Sequence, residues 1–349
     1  MKPHCIARKA DCQRPLPDRL RFNHTMLSSP IHWSKGLLHG VDHPENFPVA
    51  SILLPRPIRQ SVLAIYAVAR FADDLADEGT WQVGQRLAFL REFHGMLQGE
   101  APGPWMTQAG LDSRASRCVA AWLAQALHQQ PQVRTEMSLM LSAFAWDARG
   151  FWPQTAEQFE SYCRGSAASV GRMLLALHQV DSPDNLRDAD AICIALQRIN
   201  MLQDSRIDAM RGRIYVPADA LYAMGYDAQQ WFDFCSMGSL PGKLRLWVRN
   251  QAIDQLEALR QHQRLVSRMP MRLALELKAI IAAAATVALM LCESPDPVRE
   301  RPKLQGALTA IGIFRLLRHW LFGLPLKSAD RPRPDACQPS QKTKQGEPT

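Results

Sequence analysis

Between residues 66 and 77, and again between 197 and 215, polar side chains recur at intervals of three and four. Only an α-helix gathers that spacing on one face. The first stripe is Tyr66, Arg70, Asp73 and Asp77; the second is Gln197, Asn200, Asp204, Asp208 and Arg211, followed by Arg213 and Tyr215. Both run through otherwise apolar sequence, where a carboxylate is costly unless it is paired or metal-bound. Two such faces opposed across a cavity make a cage of hard oxygen donors suited to Mg²⁺, which takes few carboxylates and fills its shell with phosphate oxygens. Asp73, Asp77, Asn200, Asp204 and Asp208 are the candidate ligands. Arg70, Arg211 and Arg213 are the candidate diphosphate clamps, since a guanidinium grips phosphate bidentately. Taken singly, each segment reads equally well as a charged surface face laced with weak i, i+4 ion pairs. Their joint occurrence points to an enzyme that ionises a diphosphate ester.

The rest of the chain has the same helical character. Helical patterns are expected over about 55–76, 82–97, 115–129, 131–148, 155–179, 184–211, 217–224, 241–267, 271–293 and 303–323, with short Gly- and Pro-rich breaks. No run alternates with period two as a strand does. The expectation is an all-α bundle with its site in the centre, between facing helices. Hydrophobic residues make up 47% of the 349, enough for a large core. The domain is expected over 30–323, between a mobile basic segment, 1–29, and a disordered Pro-, Lys- and Gln-rich tail, 324–349. The net charge of +8 is concentrated in those two ends. A nucleic-acid protein would carry its charge on a folded module, and none is recognisable, so no nucleic-acid partner is expected. The basic ends suit loose contact with anionic lipid headgroups, a solvated tail being the plainer reading.

None of the eight cysteines forms a Cys-x-x-Cys pair, which argues against a zinc site. Their apolar settings fit free thiols in a reducing cytosol. The N-terminus has no continuous apolar segment of the secretory kind. The longest apolar run, 279–292, is the length of a buried core helix rather than a membrane span. A cytoplasmic protein is expected, at most peripheral to the inner face of the membrane.

A third segment, Tyr162-Cys-Arg-Gly-Ser-Ala-Ala-Ser-Val-Gly-Arg172, places small residues at Ser166, Ala167, Ala168 and Gly171. These permit a kinked or closely packed helix and leave room for a long apolar ligand. Together with the two acidic stripes it resembles the squalene/phytoene synthase family of head-to-head prenyl synthases over most of 30–320. His43-Pro-Glu-Asn46-Phe-Pro-Val-Ala-Ser51 and the Tyr162–Arg172 run are similar to the bacterial hydroxysqualene synthase branch. Met201-Leu202 and Ser205 depart from that branch, which has a bulkier aromatic pair at the first position. The resemblance implies Mg²⁺ held by both Asp motifs, with Arg70 and Arg213 as clamps. It implies presqualene diphosphate as substrate, with His43 and Asn46 at the mouth near the diphosphate and Gln197 among the substrate-binding residues. Tyr66, Tyr162 and Tyr215 would face the cation. Within the family, condensation of two farnesyl diphosphates to presqualene diphosphate, squalene or a phytoene-type product is the alternative. A catalytically silent interaction protein is the alternative of another class. Association with other enzymes of hopanoid synthesis is a further implied partnership.

Overall fold

The computed structural model describes residues 56–77, 81–100, 103–104, 131–299 and 301–302. Among these the chain is all-α, with no strand. The helices are α1 (Arg56–Asp77), α2 (Val83–Leu97), α3 (Pro131–Ala148), α4 (Ala156–Cys163), α5 (Ser169–Leu177), α6 (Pro183–Met210), α7 (Ala218–Ala223), α8 (Ala228–Met237), α9 (Gly242–His262) and α10 (Met271–Glu293). The patterns expected at 115–129 and 303–323, and the flanking segments 1–29 and 324–349, lie outside the described residues.

Helix ends follow from local chemistry. The Ser182 side chain accepts from the Asn185 N–H, with Pro183 in the first turn, and so starts α6. Gly212, at φ 74°, turns the chain out of that helix after Arg211. Thr155 caps α4 in the same way as Ser182 caps α6. The stretch 155–179 is one helix by periodicity but two in the structure. A π-helical turn, Arg164–Ala168, joins α4 to α5. α8 departs from expectation in the other direction, since no helix was expected at 228–237. Its start is nevertheless written in the sequence as a capping box, Asp227 with Gln230.

Two hydrophobic clusters divide the fold. One joins α6, α8, α9 and α10 around Trp231, Leu244, Val248, Ala284 and Leu291. The other joins α1, α2, α3 and α5 around Ile65, Leu75, Phe89, Phe93 and Met137. Each of the Val, Leu, Ile, Phe and Met side chains among them, fully buried, contributes roughly 1.5–3 kcal/mol. The two acidic stripes therefore belong to separately packed halves, one on α1 and one on α6. A smaller cluster between them, with Ala143, Phe159, Tyr162, Ile194 and Met201, knits α3, α4 and α6. The apolar run 279–292 forms most of α10. This helix is long and apolar enough to cross a membrane by length and composition, yet Ile281–Ala288 is buried in the first cluster.

Ion pairs brace the joints. Arg172 on α5 holds Asp190 on α6 bidentately, Nε to Oδ1 at 2.7 Å and Nη2 to Oδ2 at 2.6 Å, and reaches Glu136 on α3. Arg164 in the π turn donates to the same Asp190 carboxylate at 2.9 Å. Close packing does the rest. A Cβ on Gly171 would sit 2.6 Å from Cys193 Sγ. Gly171→Ala is therefore expected to destabilise by about 1–2 kcal/mol despite the gain in helix propensity. Gly171→Ala combined with Cys193→Ala should recover most of that loss. Thermal melting of the single and double variants checks this, and an increase in stability on the single change would refute it.

Candidate active site

The second stripe lies where the helical period puts it. Gln197, Asn200, Asp204 and Asp208 are half-buried along α6 toward its C-terminal end. Arg211 is exposed at the helix terminus, and Arg213 returns beside it, its N–H donating to the Asp208 carbonyl at 2.8 Å. The two carboxylates of the stripe have different surroundings. Asp204 takes two donors from Arg301, Nη2 to Oδ2 at 3.1 Å and Nε to Oδ1. The Asp208 carboxylate takes no hydrogen bond among the described residues. Burial pushes its carboxyl up to about 7, against the pull of the Arg213 guanidinium and with the charge of Asp204 adding to the rise.

On α1, Asp73 and Tyr66 are half-buried. Arg70 donates to Asp73 at 3.2 Å and forms an ion pair with Asp74, N to O at 2.7 Å, so one guanidinium is shared between two acids of its own helix. The side chain of Asp77, and His43 and Asn46, lie outside the described residues. Among the described residues no group of three His, Cys, Asp or Glu side chains converges at metal-binding distance. Asp204 and Asp73 each lean on an arginine instead. The donor set is nonetheless one that fits Mg²⁺: amide and carboxylate oxygens, with one carboxylate, Asp208, buried and short of compensating charge.

Beside α6 stands a polar constellation that sequence reasoning missed in part. Asp147, at the end of α3, accepts from the Tyr162 hydroxyl at 2.7 Å and from the Tyr215 hydroxyl at 3.3 Å. The two tyrosine rings stack at 5.8 Å, and Phe151 stacks on Tyr162 at 5.5 Å. Trp146 extends the aromatic row, 4.9 Å from Phe151. Burial first, and then the Asp147 charge, push both phenols far above their ordinary range. They stay hydrogen-bond donors to the Asp147 side chain. Tyr162 and Tyr215 were legible as candidates. Asp147 was not, because its partners lie 15 and 68 residues away and it belongs to no i, i+4 stripe. Arg301 was missed for the same reason, 97 residues from Asp204.

A cleft opens onto both features. Its walls are Phe159 of α4, Met201, Leu202, Ser205 and Asp208 of α6, Arg213, Tyr215 and Val216 of the following loop, Trp231 of α8, and Trp247 and Gln251 of α9, with Arg198 at one side. Met201, Leu202 and Ser205, the positions that depart from the hydroxysqualene synthase branch, all line it. The Ser205 hydroxyl is turned back onto the Met201 and Leu202 carbonyls, at 3.0 Å each. Arg198 lies over the Phe159 ring at 5.3 Å. The arrangement is an apolar, aromatic-walled cleft with one carboxylate, Asp208, and the arginines Arg198 and Arg213 in its walls, suited to a greasy chain with an ionic head.

Comparison with known proteins agrees with this geometry. The family model described as squalene/phytoene synthase matches residues 41–307. A hydroxysqualene synthase of Sinorhizobium fredii is 31% identical over 264 residues, covering 74% of this chain and 83% of its own. A phytoene synthase of Rhodobacter capsulatus is 32% identical over 184 residues, covering 53% of this chain and 51% of its own. Among solved structures, a squalene synthase of Alicyclobacillus acidocaldarius superposes with a TM-score of 0.59 at 28% identity, covering 74% of this chain and 90% of the other. On its fold, its paired acidic stripes and a family match over most of its length, the chain belongs to the squalene/phytoene synthase family.

Proposed function

We propose that this chain is a hydroxysqualene synthase, converting presqualene diphosphate and water to hydroxysqualene and diphosphate. The observation that carries the reading is the juxtaposition on α6. Asp208, the last carboxylate of the stripe that also holds Asn200 and Asp204, lines an apolar aromatic cleft together with Arg213 and Tyr215. Asp73, Asp77, Asn200, Asp204 and Asp208 would hold Mg²⁺, which when bound supplies positive charge to the leaving diphosphate. Arg70, Arg211, Arg213 and Arg301 donate to diphosphate oxygens, with Gln197, His43 and Asn46 near the same head group. The C–O bond breaks with its electron pair leaving on diphosphate. The cyclopropylcarbinyl cation rearranges to an allylic C30 cation. A water oxygen then forms the new C–O bond and sheds its proton. The walls formed by Phe159, Leu202, Trp231 and Trp247 exclude water until rearrangement is complete. Tyr66, Tyr162 and Tyr215 offer ring faces to the cation. Asp147, negatively charged behind Tyr162 and Tyr215, stabilises it electrostatically.

The named relatives support this branch, and the phytoene synthase match keeps a condensing activity as the second reading. One assay separates them. Purified protein with Mg²⁺ is offered presqualene diphosphate, or farnesyl diphosphate alone, and the products are identified by mass spectrometry. A C30 alcohol with equimolar pyrophosphate from presqualene diphosphate is the expected result. Presqualene diphosphate formed from farnesyl diphosphate, or a C30 hydrocarbon formed only with NADPH, would move the chain to a neighbouring activity. No turnover of any prenyl diphosphate would mark a silent family member. We place the enzyme in the cytoplasm.

A further inference from the structure

At the opposite end of α6 from the carboxylates, the surface changes character. Asp188 lies sixteen residues before Asp204, about 24 Å along the helix. It is fully buried and receives Arg264 and Arg268, from the 3₁₀ segment Gln263–Arg268 that leads into α10. Both guanidinium side chains are pinned at this corner while remaining 59% and 35% exposed. Beside them the first turns of α10 present apolar side chains to solvent. Met271 is 74% exposed and Leu275 38% exposed. The two are four residues apart and share a helix face, which continues to Lys278, while Arg272 is exposed next to Met271. Residues 257–278 carry five Lys and Arg against two Glu.

We propose that this corner, where the 3₁₀ segment meets α10, is a docking surface for an anionic lipid bilayer. An exposed apolar pair next to Arg272 and close in sequence to Arg264 and Arg268 suits such a surface: Met271 and Leu275 enter the acyl boundary while the exposed parts of the guanidiniums, beyond the bonds of Arg264 and Arg268 to Asp188, meet lipid phosphates.

The test uses the full chain and no substrate, so it stands or falls apart from the proposed activity. Protein is floated with phosphatidylcholine vesicles, with and without phosphatidylglycerol. Wild type is expected to float with the anionic vesicles and to detach as salt is raised. Met271→Glu with Leu275→Glu, an exposed pair, is expected to lower the bound fraction at least ~5-fold with an unchanged melting temperature. Arg272→Gln, a milder change, is expected to weaken binding to anionic vesicles alone. Wild type that stays at the bottom with anionic vesicles overturns the proposal. So does a double variant that floats as well as wild type, which would place lipid binding elsewhere in the chain. A double variant that merely converts a dimer to a monomer, with flotation unchanged, assigns the face to a second copy and overturns it too.

Discussion

Asp208→Asn is expected to lower turnover at least ~100-fold while making the metal-free protein harder to melt at pH 8. The two effects have one cause. Burial raises the folded-state carboxyl to about 7, far above the ordinary Asp value. The folded chain therefore binds a proton that the unfolded chain has already released between about pH 4 and 7. The stability contributed by that proton is complete below the unfolded value and is lost as pH climbs through the folded one. Above pH 7 the folded protein holds a buried anion at full cost. An amide of the same shape removes the charge, so the gain is greatest at pH 8 and vanishes near pH 4. Allowing for relaxation and water entry, it amounts to about 2 kcal/mol, or a few degrees in melting temperature. The lost activity reflects the missing negative donor for the cation that neutralises the leaving diphosphate. Asp204→Asn is expected to cost the same ~100-fold in turnover with no gain in stability, because that carboxylate is already matched by Arg301. Melting curves at pH 5 and 8, beside steady-state turnover, decide the matter. Wild-type-like turnover of either variant would remove its carboxylate from the reaction. A pH-independent melting shift for Asp208→Asn would refute the charge argument.

The second large effect lies far from the cleft. Asp188→Ala is expected to destabilise the fold by about 3 kcal/mol at pH 7. The Asp188 side chain is wholly buried at the start of α6. His262 Nδ1 lies 2.6 Å from its Oδ1, Arg264 donates to Oδ2 at 3.1 Å, and Arg268 adds a further bond while also donating to Asn185 at 2.7 Å. Burial opposes the charge, yet these donors outweigh it and hold the carboxyl well below the usual carboxylate range. The sign is opposite to that of Asp208. The contribution is present in full above the unfolded value, near pH 4, and fades as pH falls through the depressed folded one. The gap between wild type and Asp188→Ala should therefore be constant from pH 6 to 8 and narrow in acid, as read by denaturant melts. A gap under ~0.5 kcal/mol at pH 7 would show that the arginines hold the α9–α10 corner without the acid.

Much of this molecule was written in local spacing, and the remainder was not. The stripe on α6 was legible because its members are neighbours on one helix, so periodicity alone sets them side by side. The fold class followed from the same periodicity and the lack of alternation. Contacts made across the tertiary structure left no such mark. Asp147 meets Tyr162 and Tyr215 only because α3 ends beside α4 and beside the loop after α6. Arg301 reaches Asp204 only because the chain returns past α10. Asp188 gathers its arginines from the 3₁₀ segment that follows α9. α8 is a different kind of miss: its capping box was there to be read, but the Trp-Phe-Asp-Phe run between two short breaks gave too brief a period to stand out. The opposition of α1 to α6 rests on side chains of which Asp77 lies outside the described residues, and Asp73 is turned to Arg70.

The π-helical turn at 164–168 has one more consequence. Each of its hydrogen bonds spans five residues instead of four, so the turn holds one residue more than an α-helix would. The wider turn absorbs that extra residue, so the helix after it keeps its phase. Rewinding the same residues as an ordinary α-helix, with none removed, would rotate 169–177 by about 100°. Met173, Ala176 and Leu177 would swing away from the cluster they fill, and Arg172 would lose its line to Asp190. The wide winding of this turn is thus a stricter requirement than the identity of its residues, because it sets the phase in which a whole helix meets its neighbours.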